Sequence, residues 1–162
     1  MKMEIIQPFI DATIKVIETM AFITPRADKP CVWNDGLAVG EVVGIVGLSN
    51  EDENVKGALL VGFNESSIIR IASNMLGEEF STLSEEVREV VGEITNMVSG
   101  QARKMLSDSA IIKLQGSIPS VIAGKDIIIK NFIKEASVMV KFIIDSGQFE
   151  IGLSMEGISI CD

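Results

Sequence analysis

The chain has 162 residues, enough for one compact domain with a single substantial core and short for two, so one domain is expected across 1–162. Hydrophobic residues at 47% and charged residues at 23% exclude the charge-rich composition of disordered chains. A net charge of −9 repels phosphate backbones and anionic lipid surfaces, which excludes nucleic acid and membrane as expected partners.

The opening Met1-Lys2-Met3-Glu4 leads directly into Ile5, Ile6, Phe9, Ile10, Thr13, Ile14 and Ile17. Those spacings of three and four predict a helix from about Glu4 to Phe22, ending before Pro25. The start lacks the uniform apolar centre and small-residue cleavage site of a signal peptide, so the chain is expected to stay in the cytoplasm. Turn formers then cluster at Asp28, Pro30, Asn34, Asp35 and Gly36, with Trp33, the single tryptophan, read as a lid over the core edge.

Two strands are predicted next, about Leu37 to Leu48 and Val55 to Phe63, joined as a hairpin by the polar stretch Ser49 to Asn54. Their apolar runs are far below the roughly 18 to 20 residues that cross a bilayer. A short helix from about Ser66 to Leu76 follows, with Asn64 or Ser66 as the N-cap and Gly77 after its end.

Thr82-Leu83-Ser84-Glu85 has capping-box spacing and opens a long helix expected to reach about Leu106. Segments near Ile111 to Leu114 and Ile127 to Ile133 have strand composition, separated by the breakers Gly116, Pro119 and Gly124. A final hairpin is the clearest element: Val138, Val140, Phe142 and Ile144 alternate with Ser137, Met139, Lys141 and Ile143, and after Asp145-Ser146-Gly147-Gln148 the pattern resumes at Phe149, Ile151, Leu153 and Met155. The order points to an α+β protein, a two-layer arrangement with two long helices on one face of an antiparallel sheet, built as a diverged internal duplication.

The absence of histidine and tyrosine excludes imidazole chemistry: Ser/His/Asp hydrolysis, papain-like Cys/His catalysis, the usual zinc hydrolase sites and phosphohistidine relays. Cys31 and Cys161 are too few and too distant for a disulfide framework or zinc site and are read as reduced thiols. The acidic run Asn50 to Asn54 lacks the glycine and spaced glutamate of an EF-hand and reads as a solvated turn. Gly124-Lys125-Asp126 lacks a phosphate loop's first glycine, where Pro119 stands. Met75, Met97, Met105 and Met155 fall at core positions, whereas Met139, beside Ile143 on the outer sheet face, is expected to meet a partner subunit.

At about 100° per residue, Val87, Val91, Ile94, Val98 and Met105 form the core stripe of the second long helix, flanked by Val90 and Met97. Glu89, Glu93, Asn96 and Gly100 gather on the opposite side. Spacing alone fits a solvated helix face. Gly92 and Gly100 add something, since each costs about 1 kcal/mol relative to alanine in a helix interior and neither lies in the core stripe. Small residues there let another surface approach. A carboxamide such as Asn96 has no useful pKa, but it can hold a water in a fixed orientation. Hydrolysis of an acyl phosphate asks chiefly for that positioning, with a metal and a cation neutralising charge.

Glu93-Ile94-Thr95-Asn96, within Glu89 to Gly100, resembles the signature helix of the CheC/CheX/FliY chemotaxis phosphatases. Pro8 to Met20 with Ala21-Phe22, Met75 to Glu79 and Ile118 to Gly124 are similar to segments of CheX-type chains, and CheX is the closest match within that group. The resemblance implies a CheC-like pseudo-duplicated fold and hydrolysis of the aspartyl phosphate on a CheY-like response regulator. It implies Asn96 as the water positioner, Glu93 as the contact to the regulator's active-site lysine, and Glu89, Gly92 and Gly100 as partner-binding positions. It also implies Mg2+ held by the regulator, with no cofactor bound by this chain, and a homodimer joined through the sheet. The first helix carries Asp11, Lys15 and Glu18 in place of a Glu-x-x-Asn, which fits the single-site CheX arrangement. The family pattern prefers Asp or Ser where this chain has Glu89. The alternative reading is a non-catalytic module that binds a response regulator or other signalling protein.

Overall fold

Helix α1, Met3–Ala21, buries Ile5, Ile6, Phe9, Ile10, Val16 and Ile17 along one stripe, as the spacing predicts. It stops at Phe22, whose left-handed backbone lets its N–H close on the Glu18 carbonyl. The structure is a computed structural model describing residues 1–33, 37–38, 40–125, 127–129 and 137–162.

After α1 come β1 (Arg26–Ala27), β2 (Cys31–Trp33), β3 (Leu37–Ala38), β4 (Val42–Asn50) and β5 (Val55–Phe63), then α2 (Glu65–Leu76) and α3 (Glu85–Asp108). The second half adds β6 (Gln115–Gly116), β7 (Ser120–Ala123), β8 (Ile128–Ile129), β9 (Ser137–Ile144) and β10 (Gly147–Glu156). All the sheet pairings among the described residues are antiparallel, in the order β1-β9-β10-β5-β4-β6, with β2 also on β9 and β7 also on β4.

The two hairpins lie side by side at the centre, β5 against β10 with Phe63 facing Phe149 and Lys56 facing Glu156. Each half's small edge strands pair with the other half's hairpin: β1 and β2 on β9, β6 and β7 on β4. β3 and β8, the matching pieces of the two halves, pair with each other. The topology is thus two copies of one plan around a pseudo-twofold axis, an α+β fold with α1 and α3 packed together on the sheet. Alternation in β9 and β10 sends Val140, Phe142, Phe149, Ile151 and Leu153 into this core, where Phe149 stacks between Phe63 and Phe142.

Several boundaries differ from expectation. β4 begins at Val42 and not at Leu37, because Gly40 takes a positive φ of 97° beneath the Phe63 carbonyl, a conformation that turns the chain out of the strand. Ile111 to Leu114 is not a strand: Ala110 reverses the chain in the left-handed region, and Ile112 and Leu114 plug the core before the sheet edge is reached at Gln115. The breakers Gly116 and Pro119 instead lie in and between the edge strands β6 and β7. Of the strand expected over Ile127 to Ile133, Ile128–Ile129 forms β8, and residues 130–133 lie outside the described residues.

The cap of α3 is Ser84, whose Oγ accepts from the Val87 N–H at 3.3 Å, in place of the expected Thr82 and Glu85 pair. Trp33 is 5% exposed in a second apolar cluster with Val43 and Leu60 on the sheet face away from the long helices. Met139, with Ile45, Ile127 and Ile129, packs against that cluster. Strand pairing puts Trp33, Val43, Ile45, Leu60 and Met139 on one face of the sheet, and Ile127 and Ile129 pack onto it.

Candidate functional site

Helix α3 is held against β4 by an unusually close approach. Thr95 is fully buried and its Oγ1 donates to the Val91 carbonyl at 2.7 Å, while the whole side chain, Oγ1 nearest, sits over Gly44 of β4. A Cβ at position 44 would overlap Thr95, so glycine is the residue that admits the helix at this height. One turn on, Ser99 is buried and accepts from Nε of Arg103 at 3.2 Å. The Arg103 guanidinium lies flat over Gly116 of β6.

These anchors fix the rotation of α3. Val87, Val90, Val91, Ile94 and Val98 are buried as read from the wheel, with Met97 and Met105 half-buried at the margins. Glu89, Glu93 and Asn96 are all exposed on the far side, and Glu93 and Asn96 are immediate neighbours of the buried Ile94 and Thr95. No described residue hydrogen-bonds or pairs with the side chain of Glu93 or Asn96. A carboxylate and a carboxamide therefore stand side by side, uncommitted, on a rigid helix.

The two glycines of this face differ. A Cβ at Gly100 would meet nothing closer than the tip of Arg103 at 4.0 Å, so that position opens onto solvent. A Cβ at Gly92 would lie 3.3 Å from Cγ2 of Val121 on β7. Gly92 thus admits the chain's own edge strand to the flank of the site.

Thr13 in α1 repeats the Thr95 device, fully buried with Oγ1 donating to the Phe9 carbonyl at 2.7 Å. With the two threonines in register, Asp11 and Ile14 take the places of Glu93 and Asn96. An isoleucine cannot orient a water, so α1 carries no equivalent of the pair. Sequence reading missed the Gly44 and Thr95 contact and the closeness of β7; a glycine inside the Val-rich run 42–46 was the available signal. Among the described residues, no cluster of three or more Cys, Asp or Glu side chains is placed to hold a metal ion, and no helix is long and apolar enough to cross a membrane.

A pseudo-duplicated α+β sheet bearing one exposed Glu-x-x-Asn pair on its second long helix defines a CheC-like protein. The chain matches the family model of the chemotaxis phosphatase CheX over residues 42–143, and it belongs to that family. It is similar to a CheC-like superfamily protein from Shewanella sp. PV-4, with 34% identity and a TM-score of 0.90 over 96% of this chain and 99% of that one. It is also similar to the chemotaxis protein CheX of Vibrio vulnificus, with 32% identity and a TM-score of 0.87 over 94% and 99%. The fold recurs in the CheX of a CheX–CheY–BeF3–Mg2+ complex from Borrelia burgdorferi, at 22% identity and a TM-score of 0.78 over 93% and 97%. No match was found among curated proteins.

Proposed function

We propose that this chain hydrolyses the aspartyl phosphate of a CheY-like response regulator in the cytoplasm, with Asn96 and Glu93 entering the regulator's active site. The observation that carries the proposal is the pairing of Glu93 and Asn96, exposed and uncommitted on a helix whose rotation Thr95 and Gly44 fix. Membership of the CheX family supports it, as does the existence of a CheX bound to CheY in Borrelia burgdorferi.

In the proposed reaction a water attacks phosphorus in line with the aspartyl oxygen. The new P–O bond forms as the bond to that oxygen breaks, leaving an aspartate carboxylate and inorganic phosphate, with the water's protons passing to phosphate and solvent. Asn96 contributes orientation, its carboxamide oxygen accepting from the water and its amide donating nearby. Glu93 contributes docking by pairing with the regulator's lysine, with Glu89 one turn earlier extending the acidic face. A magnesium ion held by the regulator, not by this chain, would supply charge neutralisation at the transferring phosphoryl group.

A homodimer joined through the sheet is part of the proposal. Both edges are broken by proline, Pro30 between β1 and β2 and Pro119 between β6 and β7, so such pairing would use the short strands beside them.

The experiment is the decay of a phosphorylated CheY-like receiver in magnesium, with and without a catalytic amount of this protein. Faster decay that scales with the amount added supports the phosphatase. Unchanged decay with retained binding would leave the non-catalytic binding module.

A further inference from the structure

We infer that Ile118, thrust out of the edge strand beside α3, is an apolar anchor that determines affinity for the phosphorylated receiver. The inference rests on the proposed function and adds to it a docking residue outside the signature helix.

Leu48 of β4 faces Gly116 of β6, whereas Ile45 faces Ser120 of β7. Between these two pairs, Gly47 and Val46 on β4 oppose Ser117, Ile118 and Pro119 on the edge. The edge therefore carries one extra residue, a β-bulge, a device that re-aims a side chain and is common at sheet rims and beside active sites. Ser117 pins the bulge, its N–H donating to the Gly47 carbonyl at 2.9 Å and its Oγ accepting from the Gly47 N–H at 2.8 Å. Pro119 offers no N–H, so this stretch cannot extend the sheet to another chain at that point. What it presents outward is a side chain: Ile118 is 88% exposed, the most exposed large apolar residue among those described.

The place of Ile118 along α3 follows from two contacts. Gly116 lies under Arg103, and Val121 lies against Gly92. The Arg103 guanidinium reaches back along the helix, bonded to Ser99 and 4.0 Å from a Cβ at Gly100, so Gly116 stands level with Ser99 and Gly100, about 12 Å along the axis from Gly92. The edge therefore runs antiparallel beside the helix, and Ile118 falls level with the turn from Asn96 to Gly100. Its neighbour Val121, 36% exposed, lies on the helix side of the strand, while Ile122 alternates to the other face. Val121 thus gives the polar Glu93 and Asn96 face an apolar border on one flank, and the exposed Ile118 stands three residues back on the same edge, near the open Gly100 position. An apolar side chain on a fixed backbone, next to polar groups that act on a partner, is the arrangement of an interface anchor.

The test measures calorimetric affinity for a CheY-like receiver loaded with beryllium trifluoride and magnesium, alongside kcat and KM on the phosphorylated receiver. Ile118→Asp is expected to weaken binding and raise KM by about tenfold or more while kcat and the unfolding midpoint stay unchanged. Ile118→Leu is expected to restore both affinity and KM. Unchanged affinity in Ile118→Asp would overturn the inference, as would a change in oligomeric state at unchanged affinity. If the wild type binds the receiver but does not speed phosphate loss, the proposed chemistry fails while lost binding in Ile118→Asp still upholds the anchor. If the wild type binds no receiver, both are overturned.

Discussion

Gly44 on β4 leaves the space that the Thr95 side chain on α3 occupies, and this one contact sets how the Glu93 and Asn96 pair meets solvent. Gly44→Ala puts a methyl group where Thr95 stands, so either the helix moves or the strand bends. The expected cost is about 1–3 kcal/mol, a fall in Tm of roughly 2–4 °C for each kcal/mol in a chain of this size. Phosphatase activity should fall as well, because the pair is displaced with the helix. The double variant Gly44→Ala/Thr95→Ala should recover part of both, as read by thermal unfolding and phosphate release. An additive double variant would show that the contact does not hold the site.

Glu93 carries the docking charge. Glu93→Lys turns an attraction for the regulator's lysine into a repulsion, and calorimetry should show affinity for the receiver falling by roughly tenfold or more. The folded state should be unaffected, since Glu93 is exposed and pairs with no described residue. Unaltered affinity would place the docking surface elsewhere.

Gly100 separates stability from function. Its position opens onto solvent, so Gly100→Ala should stabilise the helix by up to about 1 kcal/mol, read as a higher unfolding midpoint. If a receiver approaches closely there, KM for the phosphorylated receiver should rise in the same variant. A gain in stability with an unchanged KM would remove Gly100 from the docking surface.

Much of this was legible in the sequence because helix and strand periodicities leave direct marks. The stripe Val87, Val91, Ile94, Val98 is buried as the wheel requires, and the final hairpin alternates as written. The exposed pair on α3 followed from the same wheel. What the sequence did not display depended on contacts between distant segments. Gly44 is one glycine in a valine-rich run until Thr95 is set on it. Ile118 sits among Gly116, Ser117 and Pro119, a composition that reads as a break, and only the registers of Gly116 and Ser120 on β4 turn that break into a bulge. The packing of Met139 beside Trp33, Ile127 and Ile129 was likewise hidden, because those residues come from elsewhere in the chain.

Glu150 gives the fold a pH dependence apart from the site. It lies on the sheet face away from the long helices, opposite Lys141 on β9 and Gly62 on β5. Burial pushes its carboxyl above the ordinary value, and the Lys141 charge offsets that only in part. A carboxyl with a raised folded-state pKa binds its proton more tightly when folded, so its contribution to stability is present at acid pH and is lost as pH rises through and beyond the ordinary carboxylate range. Glu150→Gln should therefore match the wild type in unfolding midpoint near pH 4 and exceed it increasingly toward pH 7. A parallel pH profile for the two proteins would contradict this.

In the proposed reaction Asn96 orients the attacking water and does little else, and steady-state kinetics of Asn96→Ala on a phosphorylated CheY-like receiver test that role directly. The expected result is a kcat lower by about 100-fold, with KM and the affinity for the receiver close to the wild type. A kcat that survives the substitution, or a loss confined to KM, would contradict it.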